Sequence, residues 1–235
     1  MTLPSMLGRL LLSAVLLTVL LSCSTPAGPG LSLGEAPWQD GEKVLFSVVD
    51  KNGANVGSEE IGYSRTDCAW VLTIADKFPT LEQTMKVRLG AATLKPLGEE
   101  KTIKAQGTDA TVTTTYQGSK LDIKAVVNGE TKPASIDVPS DALDNDQLLA
   151  TLRALKFADG YEGRYVNVVS ANAAKINTTI RVQGKETVVV PAGSFEAWKL
   201  ELDFGQAKQY AWYQVASPNQ MVQYDNGATR MVLTK

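Results

Sequence analysis

From Trp38 onward, apolar and polar side chains alternate with a period of two, the mark of strands with one face buried and one wet. In residues 83–89, Met85, Val87 and Leu89 share one face, and Thr84, Lys86 and Arg88 share the other. Residues 121–127 repeat the pattern, with Lys120, Asp122 and Lys124 outside. Ile176, Thr178, Ile180 and Val182 oppose Asn177, Thr179 and Arg181, and Trp198, Leu200, Leu202 and Phe204 oppose Lys199, Glu201 and Asp203. Less regular alternation predicts strands at 42–49, 57–64, 69–75, 110–116, 161–169, 208–215, 220–224 and 228–233. Asn52-Gly53, Asn128-Gly129 and Asn226-Gly227 each stand between two such stretches. Asn-Gly supplies the positive φ angles of tight turns, so three antiparallel hairpins are expected.

The period changes once. Asp144 is placed to cap a helix with Gln147 as its capping-box partner, Leu148, Leu149, Leu152 and Leu155 recur at helical spacing, and Gly160 can end the segment. About a dozen antiparallel strands in series should curl rather than stay flat. The expected fold is therefore all-β and mainly antiparallel: a strongly curved sheet, or a half-open to closed β-barrel, with one covering helix. Asp50 opens a stretch with some likeness to a calcium loop, but Asn55 and Ile61 stand where that loop needs Gly and Glu, so a hairpin is expected instead.

Ahead of the alternating region the pattern is different. Arg9 precedes an apolar run over residues 10–21, too short to span a bilayer comfortably, and the run ends Leu20-Leu21-Ser22-Cys23. This resembles the lipobox of bacterial lipoproteins, which implies a signal peptide over residues 1–22, cleavage before Cys23, and lipid on that cysteine. Residues 24–33 are Ser, Thr, Pro, Ala, Gly and Leu without periodicity, so residues 23–37 are expected to form a lipidated flexible tether ahead of a single β domain at 38–235. Two or three acyl chains would hold Cys23 stably on a membrane. The implied location is the bacterial cell envelope: the periplasmic face of the outer membrane in a two-membrane cell, otherwise the outer face of the cytoplasmic membrane.

Charge and composition narrow the chemistry. Without Arg9 the exported chain has 22 Lys and Arg against 25 Asp and Glu and no basic run, which argues against nucleic acid. There is no histidine, the usual general base near neutral pH, activator of nucleophiles and metal ligand. No catalytic residue, cofactor motif or metal motif stands out, and the chain is not expected to be an enzyme. With Cys23 modified, Cys68 has no partner in the monomer and is expected to be a buried or turn-lying cysteine. Trp198, Tyr210, Trp212 and Tyr213 admit two readings: core packing between neighbouring strands, or the lining of an apolar pocket.

The octapeptide Val190-Pro191-Ala192-Gly193-Ser194-Phe195-Glu196-Ala197, together with Trp212-Tyr213 and the helical stretch Leu149 to Leu155 with Arg153, resembles a bacterial envelope family known as domain of unknown function 3108. The resemblance extends from Trp38 to Lys235. It implies an exported, mostly antiparallel β domain with no established activity and supplies no catalytic residues. The expected function is that of a non-enzymatic binding or assembly module that takes an apolar small molecule or an envelope protein on its curved sheet. The alternative is a structural envelope protein with a filled core. A lined void of roughly 300 Å³ or more separates the two, and a tight carboxylate cluster inside it would favour an enzyme.

Overall fold

The structure is a computed structural model that describes residues 30–234. The expected signal peptide and Cys23 lie outside the described residues. Fifteen strands form one sheet: β1 (Lys43–Asp50), β2 (Asn55–Arg65), β3 (Ala69–Phe78), β4 (Leu81–Gly90), β5 (Pro96–Ala105), β6 (Thr108–Gln117), β7 (Lys120–Val127), β8 (Glu130–Asp137), β9 (Leu143–Asp144), β10 (Glu162–Val169), β11 (Ala174–Val190), β12 (Gly193–Asp203), β13 (Lys208–Gln214), β14 (Met221–Asp225) and β15 (Thr229–Leu233). Between β9 and β10 lies a short helical segment. It consists of a 3-10 turn (Asn145–Gln147), one α-helical turn, α1 (Leu148–Thr151), and a second 3-10 turn (Leu152–Ala154).

The strand order is β8-β7-β6-β5-β4-β3-β2-β1-β15-β14-β13-β12-β11-β10-β9. Two meanders, β1–β8 and β9–β15, are thus zipped together through their first and last strands, with Phe46 opposite Leu233 and Val48 opposite Met231. Every pairing is antiparallel except the two-residue contact of β9 with β10. Register shifts at Val48/Val49, Arg88/Leu89, Val182/Gly184 and Trp212/Tyr213 are bulges, which sharpen bending and twist. The sheet curls until its two ends meet: Val112, Leu121 and Ile123 of the first meander pack against Val166 and Val168 of the second. Lys175 Nζ reaches the Asp137 carbonyl at 2.8 Å across the same seam. Among the described residues no backbone ladder joins β8 to β9, so side chains rather than hydrogen-bonded strands close the barrel.

One end of the curl is plugged. Leu148, Leu152 and Leu155 are buried there with Trp38, Tyr63, Trp70 and Leu94. Trp38 stacks on Tyr63 at 5.1 Å and meets Trp70 edge-on at 5.4 Å. Gln147 ties the segment to the β4–β5 turn through the Leu94 carbonyl at 2.9 Å, and Arg153, 1% exposed, pairs with Glu42 at 2.6 Å. The capping box on Asp144 and Gln147 forms as expected, although only one turn of the segment is α-helical.

The three Asn-Gly hairpins are present, with Asn128 and Gly129 at φ 49° and 87° in the turn between β7 and β8. Asp50 accepts from the Asn52 and Ala54 amides at 2.8 and 2.9 Å, which makes its loop a hairpin. One boundary differs from expectation. Leu31, Leu33 and Ala36, in the segment expected to be a tether, pack against the core. There the Gly34 amide donates to the Ala154 carbonyl at 2.7 Å, and Leu33 forms an isolated bridge with Leu155. Two leucines in a sequence without periodicity suffice to dock it, because burying each removes apolar surface from water.

Candidate functional site

The inner face of the plugged end is apolar, but the inner face toward the opposite end is not. Inward-facing polar residues recur there among apolar ones: Glu59 stands opposite Asp76 and Asp76 opposite Gln83, while Lys101 lies between Met85 and Val112, and Glu99 between Val87 and Thr114. Gly98 lets β5 approach β6 closely beside Glu99, since a Cβ there would lie 2.6 Å from the Thr114 carbonyl. The capping turn brings Asp144 and Asp146 to the same place from the second meander. One carboxylate oxygen from each of Glu99, Asp144 and Asp146 falls within 4.8 Å of the others.

Few partners balance these charges. Lys101 Nζ contacts Asp146 and lies 3.8 Å from Glu99. Ser170 donates to Glu99 at 2.8 Å, Tyr116 to Asp144 at 2.7 Å, and Gln83 to Asp76 at 2.6 Å. Glu99 Oε1, Asp76 Oδ1, Thr114 Oγ1 and Asn167 Oδ1 are buried without a hydrogen-bond partner.

Burial, with Asp146 and Asp144 beside it, pushes the Glu99 carboxyl up to about 9. Burial and Asp146 push Asp144 up to about 6. Asp146 is also raised by burial, but its contacts with Glu99 and Lys101 outweigh that and hold it below the usual carboxylate range. Burial lowers Lys101, yet Asp146 and Glu99 return it to above its ordinary value. Glu59 and Asp76 form a second acidic pair, each raised chiefly by burial, and Glu59 further by the charge of Asp76.

Beside this polar interior a recess of about 690 Å³ opens at the unplugged end, near the β12–β13 hairpin. Its lining includes Asn145, Asn167, Ile176, Phe204, Gln209 and Tyr224. The Tyr224 hydroxyl donates to Gln209. Asn167 Nδ2 donates to Asn145 Oδ1 at 2.9 Å, and Asn145 Nδ2 donates to Asp146 at 3.2 Å, so one amide separates recess from carboxylates.

The four aromatic residues singled out from sequence are not in this lining, and they do not share a face. Trp198 stands opposite Tyr213, and both point inward. There Phe157 stacks on Trp198 at 6.0 Å and tilts against Tyr213 at 5.6 Å, while the Tyr213 hydroxyl donates to the Leu149 carbonyl at 2.8 Å. Tyr210 and Trp212 project from the other face, where Lys199 lies over both rings and Trp212 Nε1 donates to Glu186 at 2.6 Å. The register of β13 against β12 is unbroken here, so Trp212 and Tyr213 turn to opposite faces and do not line one wall. Cys68 is exposed in the turn between β2 and β3.

The carboxylate cluster was not legible in the sequence. Its three members come from β5 and from a capping turn more than forty residues away, and charged residues facing inward mimic a strand's solvent face. The one available signal was Glu99 and Lys101 in step with each other across Glu100, a period-two pattern in charge rather than in hydrophobicity.

No curated protein is similar enough in sequence to count as a relative. Among solved structures, the chain is similar to a β-barrel-like protein of domain of unknown function DUF1849 from Brucella abortus, with TM-score 0.55 and 9% identity over 82% of this chain and 95% of that one. This likeness extends to the fold alone. A presumed exported protein with a YmcC-like fold from Bacteroides fragilis matches at TM-score 0.29 and 12% identity, covering 87% of this chain and 99% of that one. A presumed lipoprotein from Parabacteroides distasonis matches at TM-score 0.32 and 10% identity, covering 88% and 99%. The family model described as protein of unknown function (DUF3108) matches residues 38–235, which takes in all fifteen strands, and the chain belongs to that family.

Proposed function

We propose that this chain is a lipid-anchored envelope protein whose β domain is a non-enzymatic binding module, with the recess at the open end of the curl as its binding site. The observation that carries this reading is the recess itself: about 690 Å³, well above the roughly 300 Å³ at which ligand pockets begin. Ile176, Phe204 and the ring of Tyr224 offer apolar contact, while Asn145, Asn167 and Gln209 offer amide donors and acceptors. A ligand that suits this lining has an apolar body and a hydrogen-bonding end. The carboxylates stand behind Asn145 and Asn167 rather than in the lining, which favours binding over acid–base catalysis. Support for the anchor comes from the lipobox-like run ending at Cys23.

The test uses full-length protein purified from its own membrane. Mass spectrometry should find a small molecule that copurifies, and Tyr224→Ala should remove it. Saturable uptake of an apolar fluorescent probe should fall in parallel. No copurifying molecule and no saturable probe binding by the wild type would leave a purely structural envelope protein. Cys23→Ser should abolish the mature membrane-held form; a cleaved species that still partitions into detergent would overturn lipidation at that residue.

A further inference from the structure

We infer that Glu99, Asp144 and Asp146 form a divalent-cation site in the interior of the curled sheet, behind the recess. Glu99 is raised to about 9, so a proton sits in the cluster at neutral pH. A cation that displaces it meets three carboxylates and the single ammonium of Lys101, a net of two negative charges that one divalent ion balances. The oxygens from the three residues already lie within 4.8 Å of one another, close enough to share one ion. The donor set consists of hard oxygens, and a chain without histidine brings no nitrogen ligand, so calcium or magnesium fits better than zinc or copper.

Two neutral oxygens support this independently of the acidic cluster. Asn167 is 0% exposed, and its Oδ1 has no partner, although its own Nδ2 is engaged with Asn145 on the capping turn. That bond fixes the amide against the turn that carries Asp144 and Asp146, with an acceptor left over. Thr114 is 3% exposed, and its Oγ1 has no partner. It stands opposite Glu99 in the β5–β6 register and so shares its face. Buried polar atoms are rarely left unpaired, and two spare oxygens, one on the strand position opposite Glu99 and one on an amide bonded to the capping turn, are of the kind a six- to eight-coordinate ion needs beyond its anionic ligands. Asn145 and Asn167 line the recess, and Asn145 reaches Asp146 behind it. The inference shares only these two amides with the binding reading and otherwise rests on the carboxylates.

The experiment is a titration of chelator-stripped full-length protein in detergent with Ca²⁺, Mg²⁺ and Tb³⁺, read by melting temperature and by sensitised terbium emission. The expected result is saturable emission displaced by Ca²⁺, and a melting temperature that rises to a plateau with Ca²⁺. Glu99→Gln and Asp146→Asn should each weaken the apparent affinity by at least tenfold, while Glu130→Gln, on exposed β8, should leave it unchanged. Absence of both responses in the wild type would overturn the site without any need for variants. Unchanged affinity in folded Glu99→Gln or Asp146→Asn would overturn it as well. Tyr224→Ala separates the two proposals: ligand uptake should be lost while Ca²⁺ affinity stays as in the wild type.

Discussion

The two ends of the curled sheet use the same strands in opposite ways. At the plugged end the inner positions of β1 to β4 and β11 to β15 hold Trp70, Leu72, Leu89, Trp198, Leu200 and Tyr213, and the helical segment fills the space between them. Toward the open end the inner positions hold Glu59, Asp76, Glu99 and Lys101, and the segment contributes acids instead of leucines. The first arrangement stabilises the fold by removing apolar surface from water. The second works against stability, because charged groups withdrawn from water cost free energy unless paired, and here carboxylates outnumber the one ammonium. A domain with an apolar solution for one half of its interior could use it for the other. That it keeps charge there is the physical reason to look for function at the open end.

The sharpest way to break this comparison is at the plugged end. Trp198→Ala should destabilise by about 3–5 kcal/mol, the usual penalty for emptying a large buried site. Denaturant unfolding would measure it. A loss below about 1 kcal/mol would mean that Trp198 faces exchangeable space rather than packed protein.

At the open end the opposite sign is expected. Glu59 and Asp76 are both raised by burial, so the native state holds protons that the unfolded chain releases. Their contribution is fully favourable below the ordinary carboxylate range and is lost as pH climbs toward the raised values. Glu59→Gln removes one ionisable group from the pair. It should melt several degrees higher than the wild type at pH 8 and close to it at pH 4. A lower melting temperature at pH 8 would show that the ionised pair stabilises the fold and would erase the contrast between the two ends.

A smaller effect sharpens the account of the plug. Tyr213→Phe keeps the ring against Phe157 but removes the hydroxyl that satisfies the Leu149 carbonyl. The expected loss is about 1 kcal/mol by chemical denaturation, the net worth of one such bond. The smallest change belongs to neither end. Cys68→Ala, in an exposed turn, should shift stability by no more than about 0.5 kcal/mol, reducing or oxidising conditions alike. A large loss confined to oxidising conditions would reveal a disulfide between copies.

Most strands were legible because their inner positions are apolar and their outer positions polar. The two substantial strands that alternation missed show where it stops working. On β5 the inner residues Glu99 and Lys101 are charged, so inner and outer positions look alike to a hydrophobic pattern. The other, β8, is an edge strand exposed along almost all of its length, with Pro133 inside it, and so carries no alternation at all. The aromatic group was visible as a cluster in sequence and dissolved in space, since neighbours on a strand cannot share a face. The recess gave no sign, because Asn145, Asn167, Phe204, Gln209 and Tyr224 are scattered over eighty residues and joined only by the curl.

By itself, then, the sequence determined what depends on near neighbours along the chain: strand periodicity, the Asn-Gly turns and the Asp144 capping box. The tertiary structure decided what depends on distant segments meeting: that β1 pairs with β15, that the two sheet ends close through side chains, and that one end is plugged while the other stays open. Local pattern reports which face of a strand is turned away from water. Only the curvature of the whole sheet settles whether that face meets leucine, another carboxylate, or open space.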